Sequence, residues 1–249
     1  MGLMTHVVVG YPTLDDTRRL VKMMAAEGVD FIELQIPFSD PMGDGPTIHR
    51  ANTAALAGGV RVKDVFTLLK TLRGEDKIDI PLLLMTYLNV VYTYGFEKFC
   101  AEANAAGVNA LIIPDYNMAH ENIDRFEEIA MGHDQILIRF VSLDSNEERL
   151  KRIAEGATGF IYCFSTRGIT GARQDLDVYL KAYLANVRKF FPSDPLAVGF
   201  GISTGEHVNF LKGNADIAVV GSALLNAFEE HGLEGARTKV KELVYAAKG

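Results

Sequence analysis

Eight short apolar segments, each followed by a stretch with helical periodicity, constrain the fold of this chain more than any other feature. The predicted strands are residues 5–10, 30–36, 80–87, 110–113, 135–141, 159–164, 196–200 and 216–220. Apolar strands that alternate with helices are typical of a parallel sheet covered by helices on its outer face. Eight such units in 249 residues match the size of a (β/α)8 barrel, or TIM barrel.

Helices are predicted at residues 15–28, 47–56, 62–72, 95–106, 121–131, 146–155, 176–190, 206–211, 223–230 and 233–247. The last two both follow strand eight, so we expect an extra short helix there. The rival architecture is a doubly wound open sheet, which usually has a glycine fingerprint after its first strand. Here that turn reads Gly10-Tyr11-Pro12-Thr13, which is not such a fingerprint. Since no linker or repeat interrupts the pattern, we predict one barrel domain over residues 1–249.

Two carboxylates flank the end of the second predicted strand. Glu33 lies inside an otherwise apolar strand, and Asp44 follows in a loop rich in proline and glycine. A carboxylate in such a strand is costly unless it is paired or used. Taken singly, Glu33 is best explained by a buried ion pair and Asp44 by a turn. Together, at the end of a barrel strand where active sites lie, they favour divided acid and base roles.

Three glycine-containing turns follow predicted strands six, seven and eight, at residues 165–172, 199–203 and 221–223. Glycine lets backbone N–H groups approach an anion, and Gly221-Ser222 directly precedes a predicted helix. A helix N-terminus offers free N–H donors and the positive end of the helix dipole. Barrels often bind phosphate at the loops after strands seven and eight. The three turns therefore favour phosphate binding over tight turns alone.

Composition and spacing argue against several other functions. The formal net charge of −7, without a run of Lys or Arg, disfavours a nucleic-acid surface. No predicted strand contains a lysine, so a Schiff-base aldolase would lack its nucleophile. The histidines show no metal-ligand spacing, so we expect no metal site, and we place His6 at the barrel end opposite the active site. Arg139, inside strand five, needs a buried partner.

Cysteine usage and the absence of long apolar runs predict a cytoplasmic protein. Cys100 and Cys163 fall in a predicted helix and a predicted strand, without metal-ligand spacing, so both are expected to be reduced core residues. No segment of the sequence reads as a secretory leader or reaches the length needed to cross a membrane.

The second strand and its loop resemble a known family. The run Glu33-Leu34-Gln35-Ile36-Pro37-Phe38-Ser39-Asp40-Pro41 and the following Asp44-Gly45-Pro46-Thr47-Ile48 are similar to the motif of the tryptophan synthase α subunit. Further matches are Met85-Thr86-Tyr87, Asn89, residues 168–172, residues 199–203 and residues 221–223. They occur in family order from strand two to strand eight.

This resemblance implies a lyase of tryptophan biosynthesis built on a TIM barrel without a cofactor of its own. Its reaction is the retro-aldol cleavage of indole-3-glycerol phosphate to indole and glyceraldehyde 3-phosphate. It also implies a β-subunit partner that carries pyridoxal phosphate and receives the indole, in an α2β2 heterotetramer.

The resemblance also assigns residues. Glu33 matches the general acid and base, and Asp44 the second catalytic carboxylate, which would stabilise positive charge on the indole nitrogen. The residues that match substrate-binding positions are Tyr87, Tyr162 and Thr170, the last of which orients the aspartate. The phosphate cradle is matched by Gly171, Phe200, Gly201, Gly221 and Ser222. Pro37 and Asp40 match the loop that contacts the β subunit.

Two departures from the family pattern stand near these residues. Gln35 replaces the usual glycine, and by strand alternation it points the same way as Glu33. We therefore hypothesise that Gln35 hydrogen-bonds in the pocket and alters substrate fit or the ionisation of Glu33. Arg167 lies one position later than the family's arginine, which puts its role in loop closure in question.

Two alternatives to the lyase follow from these departures. One is another activity on a phosphorylated substrate in the same barrel, with Gln35 marking the changed specificity. The other is a non-catalytic α-like subunit that binds a phosphorylated ligand and modulates a β-type partner.

Overall fold

A computed structural model of the chain describes residues 1–41, 44–116, 125–164, 173–199 and 201–249, with side chains described at all of these except 173–178. Within this part the strands are β1 Gly2–Val8, β2 Phe31–Gln35, β3 Leu82–Met85, β4 Ala110–Ile112, β5 Ile136–Leu137, β6 Arg139–Ser142, β7 Ile161–Phe164, β8 Leu196–Gly199 and β9 Ile217–Val220. All of the pairings between them are parallel, in the order β5-β4-β3-β2-β1-β9-β8-β7-β6.

The two ends of this sheet meet at a single residue. Ile138 alone separates β5, which pairs with β4, from β6, which pairs with β7. The Ile138 amide still donates to Leu111 O at 2.9 Å. The two short strands therefore act as one strand that bridges both edges. The predicted (β/α)8 barrel with eight strand units is confirmed.

The helices in the described residues are α1 Leu14–Ala26, α2 Pro46–Ala57, α3 Val62–Gly74, α4 Leu88–Tyr94, α5 Phe96–Ala105, α6 Arg125–Gly132, α7 Glu147–Glu155, α8 Arg173–Arg188, α9 Gly205–Leu211 and α10 Ser222–Lys248. Gly232, at φ 62°, breaks α10 into a short helix after the last strand and a longer closing helix, as predicted. The short helix α4 was not predicted. Asp115 stabilises its start by accepting a hydrogen bond from the Leu88 amide at 2.9 Å.

Strand β1 begins and ends earlier than the predicted residues 5–10. At its start, the Leu3 amide donates to Asp30 Oδ2 at 2.8 Å, and Gly2 and Leu3 pair with β9. At its end, Gly10 has φ +86° and donates to Thr17 Oγ1, which turns the chain away from the sheet. The shift changes which β1 residues lie at the carboxyl end of the barrel.

Side chains from alternate strand positions fill the barrel. The apolar interior consists of Met4, Leu83, Met85, Tyr87, Ala110, Ile112, Ile138, Phe160, Ala197, Ile217 and Val219. Residues of the other parity, such as Leu34 and Leu84, pack outward against the helices in a second and larger core. This alternation is the pattern expected for a closed parallel barrel.

Several smaller predictions are confirmed. Arg139 is buried and pairs with Glu127, and Cys100 and Cys163 are buried free thiols. Across the described ranges, no helix is both long and apolar enough to cross a bilayer.

Candidate active site

Polar side chains and glycines take over the inward positions at the carboxyl end of the barrel. They continue the same alternation that places Met4, Phe31, Phe160, Ala197 and Val219 in the interior. The inward residues at this end are His6, Glu33, Gln35, Tyr162, Gly199 and Gly221. The barrel therefore has an apolar floor and a polar mouth.

Glu33 is buried, with 2% of its surface exposed, and it contacts two neighbours. His6 Nδ1 lies 3.3 Å from Glu33 Oε1, and the Tyr162 hydroxyl lies 3.5 Å from Glu33 Oε2. The first contact is an ion pair when the imidazole is protonated, whereas the second is long for an O–H···O hydrogen bond. Oε1 is thus held by a charged partner when His6 is protonated, and Oε2 only by a long contact with a neutral hydroxyl.

The prediction for His6 was wrong. His6 pairs in register with Glu33 rather than lying at the opposite end of the barrel, because β1 starts at Gly2 and not at Thr5. Burial lowers the pKa of His6, but the Glu33 carboxylate, with a smaller contribution from Asp44, outweighs burial and raises it above 6.5. The sequence contained one signal: His6, like Glu33, is a lone ionisable residue in an apolar strand.

Gln35 connects the strand to the loop carboxylate. Its side chain is fully buried, and its Nε2 donates a hydrogen bond to Asp44 Oδ2 at 2.8 Å. Burial raises the pKa of the half-buried Asp44, while the charge of His6 and the Gln35 hydrogen bond act to lower it; the net shift is upward. Gln35 therefore holds the second carboxylate in the mouth and favours its ionised form.

Two glycines make room for the larger inward side chains. A Cβ at Gly199 would lie 3.1 Å from the ring of Tyr162, and a Cβ at Gly221 would lie 3.3 Å from Cβ and Cδ2 of His6. Burial and the nearby Glu33 carboxylate raise the pKa of Tyr162 well above 10, so it stays a neutral hydrogen-bond donor. Any side chain at either glycine would crowd the mouth.

Tyr87 and Phe38 form an aromatic wall beside the mouth. Their rings stack with centroids 4.7 Å apart and planes inclined by 29°. Tyr87 is buried at the start of α4, which places its ring next to the β2 loop. In that loop Pro37 is buried and Asp40 is exposed. Phe38 was not among the predicted site residues, and only the packing identifies it.

The turn before α10 has the features expected of an anion site. Gly221 is the N-cap residue of α10 and Ser222 is its exposed first residue, so free N–H groups face outward here. Gly201 is exposed with φ +67°, a conformation that favours glycine. The predicted site residues Thr170, Gly171 and Phe200, and the displaced Arg167, lie outside the described residues.

The short helix at the start of α10 is tied to α2. Thr47 Oγ1 donates to Asn226 Oδ1 at 3.0 Å, and Arg50 pairs with Glu229 at 3.1 Å. Tyr11 adds a hydrogen bond of 2.6 Å to the same Glu229. These contacts position the start of α10 relative to the loop that carries Asp44.

The mouth is suited to proton transfer. It combines one buried carboxylate, one half-buried carboxylate, an imidazole and a phenol within a single layer of side chains. Within the described ranges, no group of three or more His, Cys, Asp or Glu side chains is arranged to hold a metal ion. The carboxylates, the imidazole and the phenol can each donate or accept a proton.

Comparison with known proteins agrees with the geometry. The family model described as tryptophan synthase alpha chain matches residues 1–248. The tryptophan synthase alpha chain of Desulfotalea psychrophila is 43% identical over 230 residues, which is 92% of this chain and 89% of that relative. The alpha chain of Syntrophotalea carbinolica is 39% identical over 241 residues, 97% of this chain and 93% of that relative.

Solved structures give the same result. A chain of Mycobacterium tuberculosis tryptophan synthase superposes with a TM-score of 0.89 at 32% identity, covering 100% of this chain and 93% of that chain. Tryptophan synthase subunit alpha from Legionella pneumophila superposes with a TM-score of 0.88 at 31% identity, covering 99% and 92%.

Proposed function

The chain belongs to the tryptophan synthase alpha chain family, whose lyase activity cleaves indole-3-glycerol phosphate, and we propose that Glu33 and Asp44 carry that reaction here. The observation that supports this assignment most strongly is their placement. Both carboxylates lie in the barrel mouth, and the charges of Glu33 and His6 both act on the pKa of Asp44.

Glu33 is proposed to move the protons. Cleavage breaks the bond between indole C3 and the adjoining carbon of the glycerol chain. Indole C3 gains a proton, and the hydroxyl on the adjoining carbon loses one as it becomes the aldehyde. A single carboxyl group that donates to C3 and accepts from the hydroxyl returns to its starting state. Oε2 of Glu33, weakly held by Tyr162 at 3.5 Å, is the oxygen free to do so.

Asp44 is proposed to stabilise the positive charge that C3 protonation places on the indole nitrogen. A fixed carboxylate stabilises such a charge best when it is already oriented before the reaction. The hydrogen bond from Gln35 to Asp44 Oδ2 supplies this orientation. This supports the hypothesis that Gln35 alters the site, with Asp44 as the group it affects directly.

The remaining site residues are proposed to bind the substrate. Tyr87 and Tyr162 are assigned to the indole, and the resemblance assigns Thr170 to the orientation of Asp44. The phosphate is assigned to the cradle formed by Gly171, Phe200, Gly201, Gly221 and Ser222. Holding the phosphate there would position the indole between the two carboxylates. The free energy of phosphate binding would then keep the reacting groups in the correct geometry.

We further propose that the chain works in the cytoplasm with a β subunit in an α2β2 assembly. The structural neighbours include chains of tryptophan synthase complexes, which supports an assembly of this type. The exposed Asp40 and the adjoining Pro37 are assigned to the interface. Pyridoxal phosphate is assigned to the β partner, as the family resemblance implies.

Indole release from indole-3-glycerol phosphate tests the proposed function. The chain should release indole, and addition of a tryptophan synthase β subunit should raise the rate if the two assemble. Glu33→Gln should abolish release while glycerol 3-phosphate still binds in calorimetry. Glu155→Gln, at an exposed position on α7, is the matched control and should keep full activity. Full turnover by Glu33→Gln would refute the assigned role.

A further inference from the structure

His6 is a buried ionisable group that the proposed mechanism does not use. Only 7% of its surface is exposed, and its ring lies in the inward layer that also contains Glu33. Nδ1 faces Glu33 Oε1 at 3.3 Å. A histidine buried in this way for stability alone would need partners on both ring nitrogens.

The second nitrogen of the ring has no such partner within the described residues. Nε2 is buried and forms no hydrogen bond there, and the adjacent Cδ2 lies against Gly221, the residue before α10. Gln35 Oε1 is likewise buried without a hydrogen bond of standard geometry in the same part of the chain, although Gln35 still contributes to the raised pKa of His6. The imidazole therefore lies between the Glu33 carboxylate and the turn assigned to the phosphate.

We propose that His6 is a positioning residue for the lyase reaction: as a cation it holds Glu33 Oε1, so that Oε2 remains directed at the substrate and ready to exchange a proton. The proposal rests on the proposed role of Glu33. It assigns the two carboxylate oxygens different tasks, one structural and one chemical. No additional reactant enters, because His6 keeps its own proton throughout the cycle.

Charges around His6 support a cationic imidazole. From β2 it faces Glu33, and from the following loop Asp44. Tyr162 of β7, which contacts the other oxygen of Glu33, stays neutral. On the β9 side His6 meets Gly221, which has no charge. The negative charges of two carboxylates thus favour the protonated form of one imidazole. As pH rises through the raised pKa of His6, the positive charge is lost and the imidazole can hold Glu33 only as a neutral N–H donor, which predicts a partial fall in kcat on the alkaline side.

Two substitutions of His6 separate the contribution of its positive charge to kcat from that of its hydrogen-bond donor. His6→Phe removes both nitrogens and should lower kcat tenfold or more, with KM changed less than twofold. His6→Asn places an amide donor near the position of Nδ1 without a titrating charge. It should recover part of the kcat lost in His6→Phe, because it restores the donor but not the charge, and the alkaline fall governed by His6 should disappear. His231→Asn, with 73% of its side chain exposed, is the control for histidine replacement and should match the wild type.

The outcomes separate this inference from the proposed function. Wild-type kcat and pH profile in His6→Phe, with Glu33→Gln inactive, would overturn the role of His6 and leave that of Glu33 intact. An unchanged alkaline fall in His6→Asn would also overturn it. If Glu33→Gln is fully active, the proposed function itself fails. Circular dichroism and thermal melting establish that each variant is folded, and His6→Asn alone suffices if His6→Phe is not.

Discussion

The floor and the mouth of the barrel are built from the same strands and the same inward positions, yet their chemistry is opposite. On β1, Met4 belongs to the floor and His6 to the mouth, and on β7 Phe160 and Tyr162 divide in the same way. Apolar burial in the floor stabilises the fold at about 25 cal/mol per Å². The mouth instead buries a carboxylate and an imidazole, which is favourable only while they remain paired.

The comparison teaches that stability and function are separated along the barrel axis. Burial raises the pKa of Asp44 in spite of its hydrogen bond from Gln35, so ionising this carboxylate in the mouth opposes folding. The floor contains no such group among its described members and offsets that cost. Substitutions in the mouth should therefore change activity far more than stability, and substitutions in the floor should do the reverse.

After the loss of Glu33 itself, the largest effect is expected for Asp44→Asn. Asparagine keeps the shape and can still accept the hydrogen bond from Gln35, but it removes the charge assigned to stabilise the indole nitrogen. We expect kcat to fall by about 10²- to 10³-fold, typical for loss of one preorganised electrostatic group. Steady-state indole release measures kcat, and urea unfolding should show stability equal to or above that of the wild type. A kcat within threefold of the wild type would remove Asp44 from the mechanism.

Ile217→Ala, in the floor, is expected to change stability instead of activity, with a free-energy change comparable to the catalytic loss in Asp44→Asn. Ile217 is 5% exposed and contacts no mouth residue in register, since it pairs with Gly2 and Ala197. Truncation should lower the free energy of unfolding by about 3 kcal/mol, and Ile217→Val, the matched control, by about 1 kcal/mol. Urea denaturation measures both. A large fall in kcat of the folded variant would contradict the separation of floor and mouth.

A smaller effect is expected at Gln35. Gln35→Met keeps most of the bulk but loses the hydrogen bond to Asp44, and kcat should fall about tenfold, since one hydrogen bond to a charged group contributes about 1.5 to 3 kcal/mol. Gln35→Gly removes the bulk as well and should also change KM. Comparing the two variants separates bulk from hydrogen bonding. If Gln35→Gly leaves the kinetics and their pH profile unchanged, the hypothesis for Gln35 is wrong.

The smallest effect concerns the acid side of the pH profile. Because the pKa of Asp44 is raised, this carboxylate gains a proton at a higher pH than an ordinary aspartate, and activity should fall as pH decreases through that value. Gln35→Met removes a hydrogen bond that favours the ionised form, so the acid fall should move to higher pH. The profile of kcat/KM against pH measures this shift. A shift to lower pH would contradict the assigned role of the hydrogen bond.

Much of the site was predictable, and the misses have physical causes. Glu33 and Gln35 share one face of β2 because strand side chains alternate, and this required only the sequence. His6 was misplaced because the ends of β1 depend on contacts outside the strand. Asp30, just before β2, accepts a hydrogen bond from the start of β1, and Thr17, in α1, accepts one from Gly10 just after its end. Phe38 was missed because its stacking on Tyr87 joins separate loops.

By itself, the sequence determined the repeated strand and helix units, the apolar parity that separates the barrel interior from the helix-facing core, and the family motif around Glu33 and Asp44. These are local properties, since periodicity and turn residues depend on neighbours along the chain. Only the tertiary structure decided that His6 lies beside Glu33 and that Gln35 reaches Asp44. Such pairs depend on strand register and loop path, which result from the packing of the whole barrel rather than from any one segment.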